Sequence, residues 1–132
     1  MASARQKKDR NIVYAAVENC GLALDYADDS WKNHRELVTL AVSNRGMALG
    51  YASAELRDDN EIVRIAVQED GYAIRSASER LRDDFDLAMM AIHSYTDAYK
   101  YLSPRLQDDP EIKQLYFSKK EEENKWLPSK TR

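Results

Sequence analysis

Two histidines, one cysteine and a run of paired aspartates are the residues of this 132-residue chain whose types could do chemistry. The pairs Asp28-Asp29, Asp58-Asp59, Asp83-Asp84 and Asp108-Asp109 invite a reading as calcium or magnesium ligands. Hard cations need several oxygens converging on one point, usually from a glycine-bearing loop. These pairs recur along the chain, so a regular fold spreads them along a line, and helix capping accounts for them. His34 and His93 lie far apart and neither has a His-x-x-x-His or Glu-x-x-His partner. The single thiol, Cys20, excludes an internal disulfide framework and a cysteine zinc cage. No second catalytic group recurs beside it to make it a nucleophile. Glycine-rich dinucleotide or phosphate-loop patterns are absent, which removes the usual nucleotide folds. The expectation is a non-catalytic protein with no metal and no cofactor.

Tyr26, Tyr51 and Tyr101 recur at one spacing, as do Leu24, Leu49, Ile74 and Tyr99. An aromatic row suggests base stacking, but phosphate contacts would place lysine and arginine beside it. The chain carries 20 basic and 23 acidic side chains, net −3. Residues 1–10 hold +3 and residues 118–132 hold +2, which leaves −8 on residues 11–117. Direct nucleic-acid binding is therefore not expected, and both rows read as packing positions. Hydrophobic residues at 43% and charged residues at 33% describe a folded, charge-rich domain, not a disordered one. No apolar run approaches the roughly 18–20 residues a membrane helix needs, and the first ten residues lack the apolar core of a secretory signal. A cytoplasmic location is expected.

The elements that must position any site come from a repeat. Leu37-Val38, Ala41-Val42, Gly46, Ala48-Leu49, Tyr51-Ala52 and Leu56 reappear 25 residues later as Ile62-Val63, Ala66-Val67, Gly71, Ala73-Ile74, Ser76-Ala77 and Leu81. They appear 25 residues earlier as Ile12-Val13, Ala16-Val17, Gly21, Ala23-Leu24, Tyr26-Ala27 and Trp31. A looser fourth copy puts Thr96 in the glycine place, and a fifth starts at Ile112. Apolar residues at i, i+1, i+4 and i+5 mark one buried helical face. Acidic or amide clusters before each doublet predict N-caps and capping boxes, with His34 in the place of a capping aspartate. The glycines predict left-handed helix ends, which shifts the turn at Thr96 toward Asp97. Ser53, Ser78 and Ser103 predict a restart within the second helix, clearest at Ser103-Pro104.

Two helices in 25 residues cannot bury their own apolar faces, so neighbouring copies must stack. The predicted fold is all-α: a short α-solenoid of four stacked 25-residue helix-pair repeats, at about 9–33, 34–58, 59–83 and 84–108. A C-terminal capping helix is expected over 109–127, with a Glu121–Lys125 pair on it. A basic arm at 1–8 and a tail at 128–132 complete the chain.

The line Asp-x-x-Ile-Val-x-x-Ala-Val-x-x-x-Gly-x-Ala-Leu-x-Tyr-Ala-Ser-x-x-Leu-x-x-Asp resembles a family known as domain of unknown function 4116. Residues 33–83 resemble it most closely, and the similarity extends over about 9–117. The resemblance implies tandem short helical repeats of the kind found in bacteria and large DNA viruses. It implies no activity, cofactor or catalytic residue. Trp31, Ser76 and Thr96 depart from the pattern.

Columns that a stack does not dictate are the candidate contacts. The third position of the first helix reads Tyr14, Thr39, Arg64, Met89, Gln114, and the residue after the turn reads Leu22, Met47, Tyr72, Asp97. Tyr, Met and Arg are enriched at protein interfaces. Tyr14, Arg64, Met89, Leu22, Met47 and Tyr72 are accordingly expected to bind another protein, one with a basic surface given the acidic body. The alternative is a small acidic inhibitor from a virus or mobile element that occupies the basic groove of a nucleic-acid-processing host enzyme.

Overall fold

A computed structural model describes residues 9–125. The arm expected at 1–8, the tail at 128–132 and the last residues of the capping helix lie outside them. Unit one comprises α1 (Arg10–Asn19), a 3-10 helix η1 (Gly21–Tyr26) and a single turn, α2 (Asp29–Lys32). The same order recurs as α3 (Arg35–Asn44), η2 (Gly46–Tyr51) and α4 (Ala54–Arg57). It recurs again as α5 (Asn60–Glu69), η3 (Gly71–Ser76) and α6 (Glu79–Arg82), then as α7 (Phe85–Ser94), η4 (Thr96–Tyr101) and α8 (Pro104–Gln107). The longer α9 (Pro110–Asn124) closes the row. Among the described residues there is no strand, and no helix is long and apolar enough to cross a membrane.

Capping fixes where each long helix starts. Side chains of Asp9, His34, Asp59, Asp84 and Asp109 accept from the N–H groups of Ile12, Leu37, Ile62, Leu87 and Ile112 at 2.9–3.3 Å. His34 does this through Nδ1, in the place of aspartate. Glu36, Glu61, Asp86 and Glu111 stand at the second helical residue, one short of the capping-box position, and so serve the helix dipole instead.

The expected second helix is two elements. The chain after each glycine makes tight i→i+3 turns, such as Ala48 N–H to the Arg45 carbonyl at 2.9 Å, and stops at an extended Ala27, Ala52, Ala77 or Leu102. Ser53, Ser78 and Ser103 then cap one α turn by accepting from Leu56, Leu81 and Leu106. Each of these hydroxyls also donates back one unit, to Asn33 (2.6 Å), Asp58 (2.6 Å) and Asp83 (2.5 Å). Arg80 and Arg105 add charged bonds to the same two aspartates, each at 2.9 Å. Asp58-Asp59 and Asp83-Asp84 therefore divide their work: the first clamps the next unit, the second caps the next helix, whereas Asp108 pairs with Lys113 of α9 at 3.0 Å. Asp28-Asp29 belongs to another register, because Asp28 occupies the serine place and caps α2 through Ser30.

The glycines do not adopt the left-handed conformation expected of them, since no described residue has a positive φ. Their reason is close approach. A Cβ on Gly21, Gly46 or Gly71 would fall under 3.0 Å from the carbonyl oxygen of Ala41, Ala66 or Ala91 in the next unit. Each glycine N–H also donates across the boundary, to Asn44 (2.7 Å), Glu69 or Ser94 (2.9 Å). Because no left-handed turn is required, Thr96 keeps the register and η4 begins there without shifting to Asp97. Buried Thr96 instead gives its hydroxyl to Glu123 of α9.

The main packing contacts run only between consecutive units. The long helices form one row and the 3-10 helices a second, with Leu37, Val38, Ala41, Val42, Ala48 and Leu49 fully buried between them, as are their counterparts in unit three. Tyr99 keeps the packing role of its column, stacked on Tyr116 at 4.2 Å. Tyr26 and Tyr51 do not: they are 68% and 37% exposed, because the end of the 3-10 helix turns outward. On α9, Lys125 pairs with Glu122 at 3.0 Å, not with Glu121.

Two outcomes follow from these boundaries. Gly46→Ala should cost about 2–3 kcal/mol in urea unfolding, since the obstructing atom is backbone. Gly50→Ala, where a Cβ meets only Ser76 Oγ at 3.2 Å, should stay within about 0.5 kcal/mol. Hydrogen bonds from Ser78 and Ser103, then those from Arg80 and Arg105, hold the Asp58 and Asp83 carboxyls below the usual range. The unfolded chain then takes up these protons first on acidification. Their stabilisation is complete above about pH 5 and fades as pH falls through about 4 and below. Asp58→Asn with Asp83→Asn should flatten that acid limb in urea midpoints measured from pH 7 to 3.

Candidate functional site

Core positions and boundary bonds account for most columns, and the surface is what they leave. The column on the long helices flanks the core: Tyr14 and Met89 pack against it half-buried, Thr39 and Arg64 are half-buried, and Gln114 is exposed. Arg64 has no ion pair or hydrogen bond among the described residues. Met89 and Gln114, on adjacent helices, line an open cleft of about 330 Å³ with Leu115 and Glu111.

Tyr14 is more deeply committed. Its ring stands edge-on to Trp31 at 6.0 Å and to His34 at 6.3 Å, with the Arg10 guanidinium 4.7 Å above it. That cluster joins unit one to the start of unit two. The Tyr14 hydroxyl is buried without a hydrogen-bond partner among the described residues.

The second column lies on the 3-10 helices, where Leu22, Met47, Tyr72 and Asp97 are all half-buried. Leu22 packs on the core. Tyr72 stands edge-on to Tyr95 (5.4 Å) and Tyr101 (5.6 Å), and Arg75 lies over its ring while donating to its hydroxyl at 2.7 Å. Lys100 lies 5.5 Å over Tyr101. Asp97 is held by Lys120 at 2.6 Å. The two columns do not merge into one cluster: Tyr14 and Tyr72 have separate ring partners, on different elements. Tyr95, Tyr101 and Arg75 join the surface without having been singled out as contacts. Arg75 reaches Tyr72 within η3, where i and i+3 side chains eclipse, whereas Tyr95 and Tyr101, 23 and 29 places away, meet it only through the stacking.

The other chemistry-bearing residues stay apart. Cys20 is exposed and free, at the junction of α1 and η1. His34 is occupied as a cap, and His93 is exposed while its carbonyl accepts from Lys119 at 3.0 Å. Among the described residues no three His, Cys, Asp or Glu side chains converge as a metal site.

These features define an all-α tandem-repeat protein. The chain belongs to the family described as Domain of unknown function (DUF4116), whose model matches residues 9–57 and 59–107. Each match spans two of the 25-residue units, and α9 falls outside both. No curated protein and no solved structure matches the chain.

The orphaned hydroxyl separates packing from contact at Tyr14. Tyr14→Phe should hold or raise stability by up to about 1 kcal/mol, because it removes an unsatisfied buried group. Tyr14→Ala should lose about 2–3 kcal/mol with the ring contacts. Both are read from urea denaturation of the full chain.

Proposed function

We propose that this protein is a non-catalytic interaction module that binds another protein through the column of long-helix residues running from Tyr14 to Gln114. One observation carries the reading. Arg64 and Met89 are large, half-buried side chains on consecutive long helices, and among the described residues no bond uses the Arg64 cation. A half-buried cation on one helix and a thioether lining an open cleft on the next fit the composition of interface hot regions. Repeated helices also offer an extended surface on which such side chains sit at regular intervals.

The partner is a protein with a basic surface. The acidic body, −8 over residues 11–117, favours one and speeds the encounter at low salt. Arg64 then supplies orientation within that field, by pairing with an acidic residue of the partner.

The experiment is capture of partners by the tagged full chain from its native cell. Arg64→Ala with Met89→Ala should reduce recovery at least about tenfold, as expected for two hot-spot residues. Leu22→Ala should leave it unchanged. Recovery should fall as salt rises from 50 to 500 mM, about the range over which screening shortens to a few ångströms. Undiminished capture by the double variant would place the contact on another face.

A further inference from the structure

The N-terminal end of the stack differs from every internal boundary. The residues opening the five apolar doublets are Ile12, Leu37, Ile62, Leu87 and Ile112. The last four are 0% exposed beneath the preceding unit, whereas Ile12 is 45% exposed. Ala16 lies exposed where Ala41, Ala66 and Ala91 are buried, and Ala23 is half-buried where Ala48, Ala73 and Ala98 are buried.

Polar groups repeat the distinction. Asn44 accepts from the Gly21 N–H at 2.7 Å and donates to the Glu18 carbonyl at 3.2 Å. Asn19 occupies the same place one unit earlier, is exposed, and has no partner for its amide among the described residues. Unit one therefore presents the receiving half of a boundary: an apolar centre flanked by an amide fitted to a glycine N–H and a helix-end carbonyl.

The opposite end of the stack lacks the matching half. Where an internal unit offers Val63, Val67 and Gly71, α9 carries Lys113, Phe117 and Glu121. Head-to-tail addition of a second copy would bury Lys113 against Ile12 and put a long side chain where only glycine fits. Residues 1–8 contain neither a valine nor a glycine to fill these places.

We propose that this end is a docking site for one further unit of the same repeat, carried by a partner polypeptide whose glycine-bearing side is uncovered. The partner's valine pair would cover Ile12 and Ala16, and its glycine N–H would bond Asn19.

The test uses the full chain with residues 34–58 duplicated in register directly before Asp9, replacing residues 1–8, and a protease site at the junction. Amide exchange across α1 should slow about tenfold or more, and the thermal midpoint should rise. Ala16→Glu should cancel both gains in the extended chain yet leave the midpoint of the original chain unchanged. After cleavage the added unit should still co-elute with the chain. Unchanged α1 exchange in the extension, or release of the unit on cleavage, overturns the proposal. So does a lower midpoint for Ala16→Glu in the original chain, which would mean that residues 1–8 already cover the face. A concentration-dependent dimer that Ala16→Glu dissociates would assign the face to a second copy and equally overturn it.

Discussion

Everything in this stack depends on how closely one unit's backbone approaches the next. The amide of Gly21, Gly46 or Gly71 lies against an alanine carbonyl with no room for a Cβ, and its N–H is satisfied only by a side chain of the following unit. A buried N–H left without that partner would cost a large part of a hydrogen bond's desolvation free energy. Shifting one unit by a single residue would drive a side chain into the carbonyl and orphan the amide together. The 25-residue spacing therefore runs without insertion from Ile12 to Tyr116.

That approach also explains the order of elements within a unit. A long helix, a six-residue 3-10 helix and one α turn bring the chain back to a capping residue in 25 steps. The 3-10 row keeps the second layer thin, since its tight turns project few large side chains inward. Serine hydroxyls close the far edge by capping their own turn and donating to the previous unit at once. Arg80 and Arg105 reinforce two of these joints on the solvent side, where such pairs contribute little alone and more as part of a network.

The same economy separates candidate contacts from packing. Tyr14 and Tyr72 are candidate contacts because their columns do not repeat. Each also anchors an aromatic cluster, with Trp31 and His34 in one case and Tyr95 and Tyr101 in the other. Leu22 and Met89 pack on the core while staying half-buried. Arg64 keeps unused surface. The two ends of the stack diverge likewise: α9 clamps unit four through Lys119, Lys120 and Glu123, whereas α1 leaves its receiving side open.

Much of this architecture was legible from residue types alone. The apolar doublets, the aspartate and serine caps and the shared period imply stacked helical units, because amphipathic periodicity and capping are local properties. His34 as a cap could be read from its column for the same reason. Four things depended on the third dimension. The glycines serve contact between units and not a left-handed turn, and either role puts the same letter in the same place. The second helix is a 3-10 segment plus a turn, a choice between i→i+3 and i→i+4 bonding that short stretches do not encode. Asp58 and Asp83, the first of their pairs, clamp a neighbour, which only their distances to Ser78 and Ser103 disclose. Whether a variable side chain is spare or engaged, as with Arg64 against Tyr14, was decided by residues brought together through stacking, since contact at such separations is a property of the fold and not of the string.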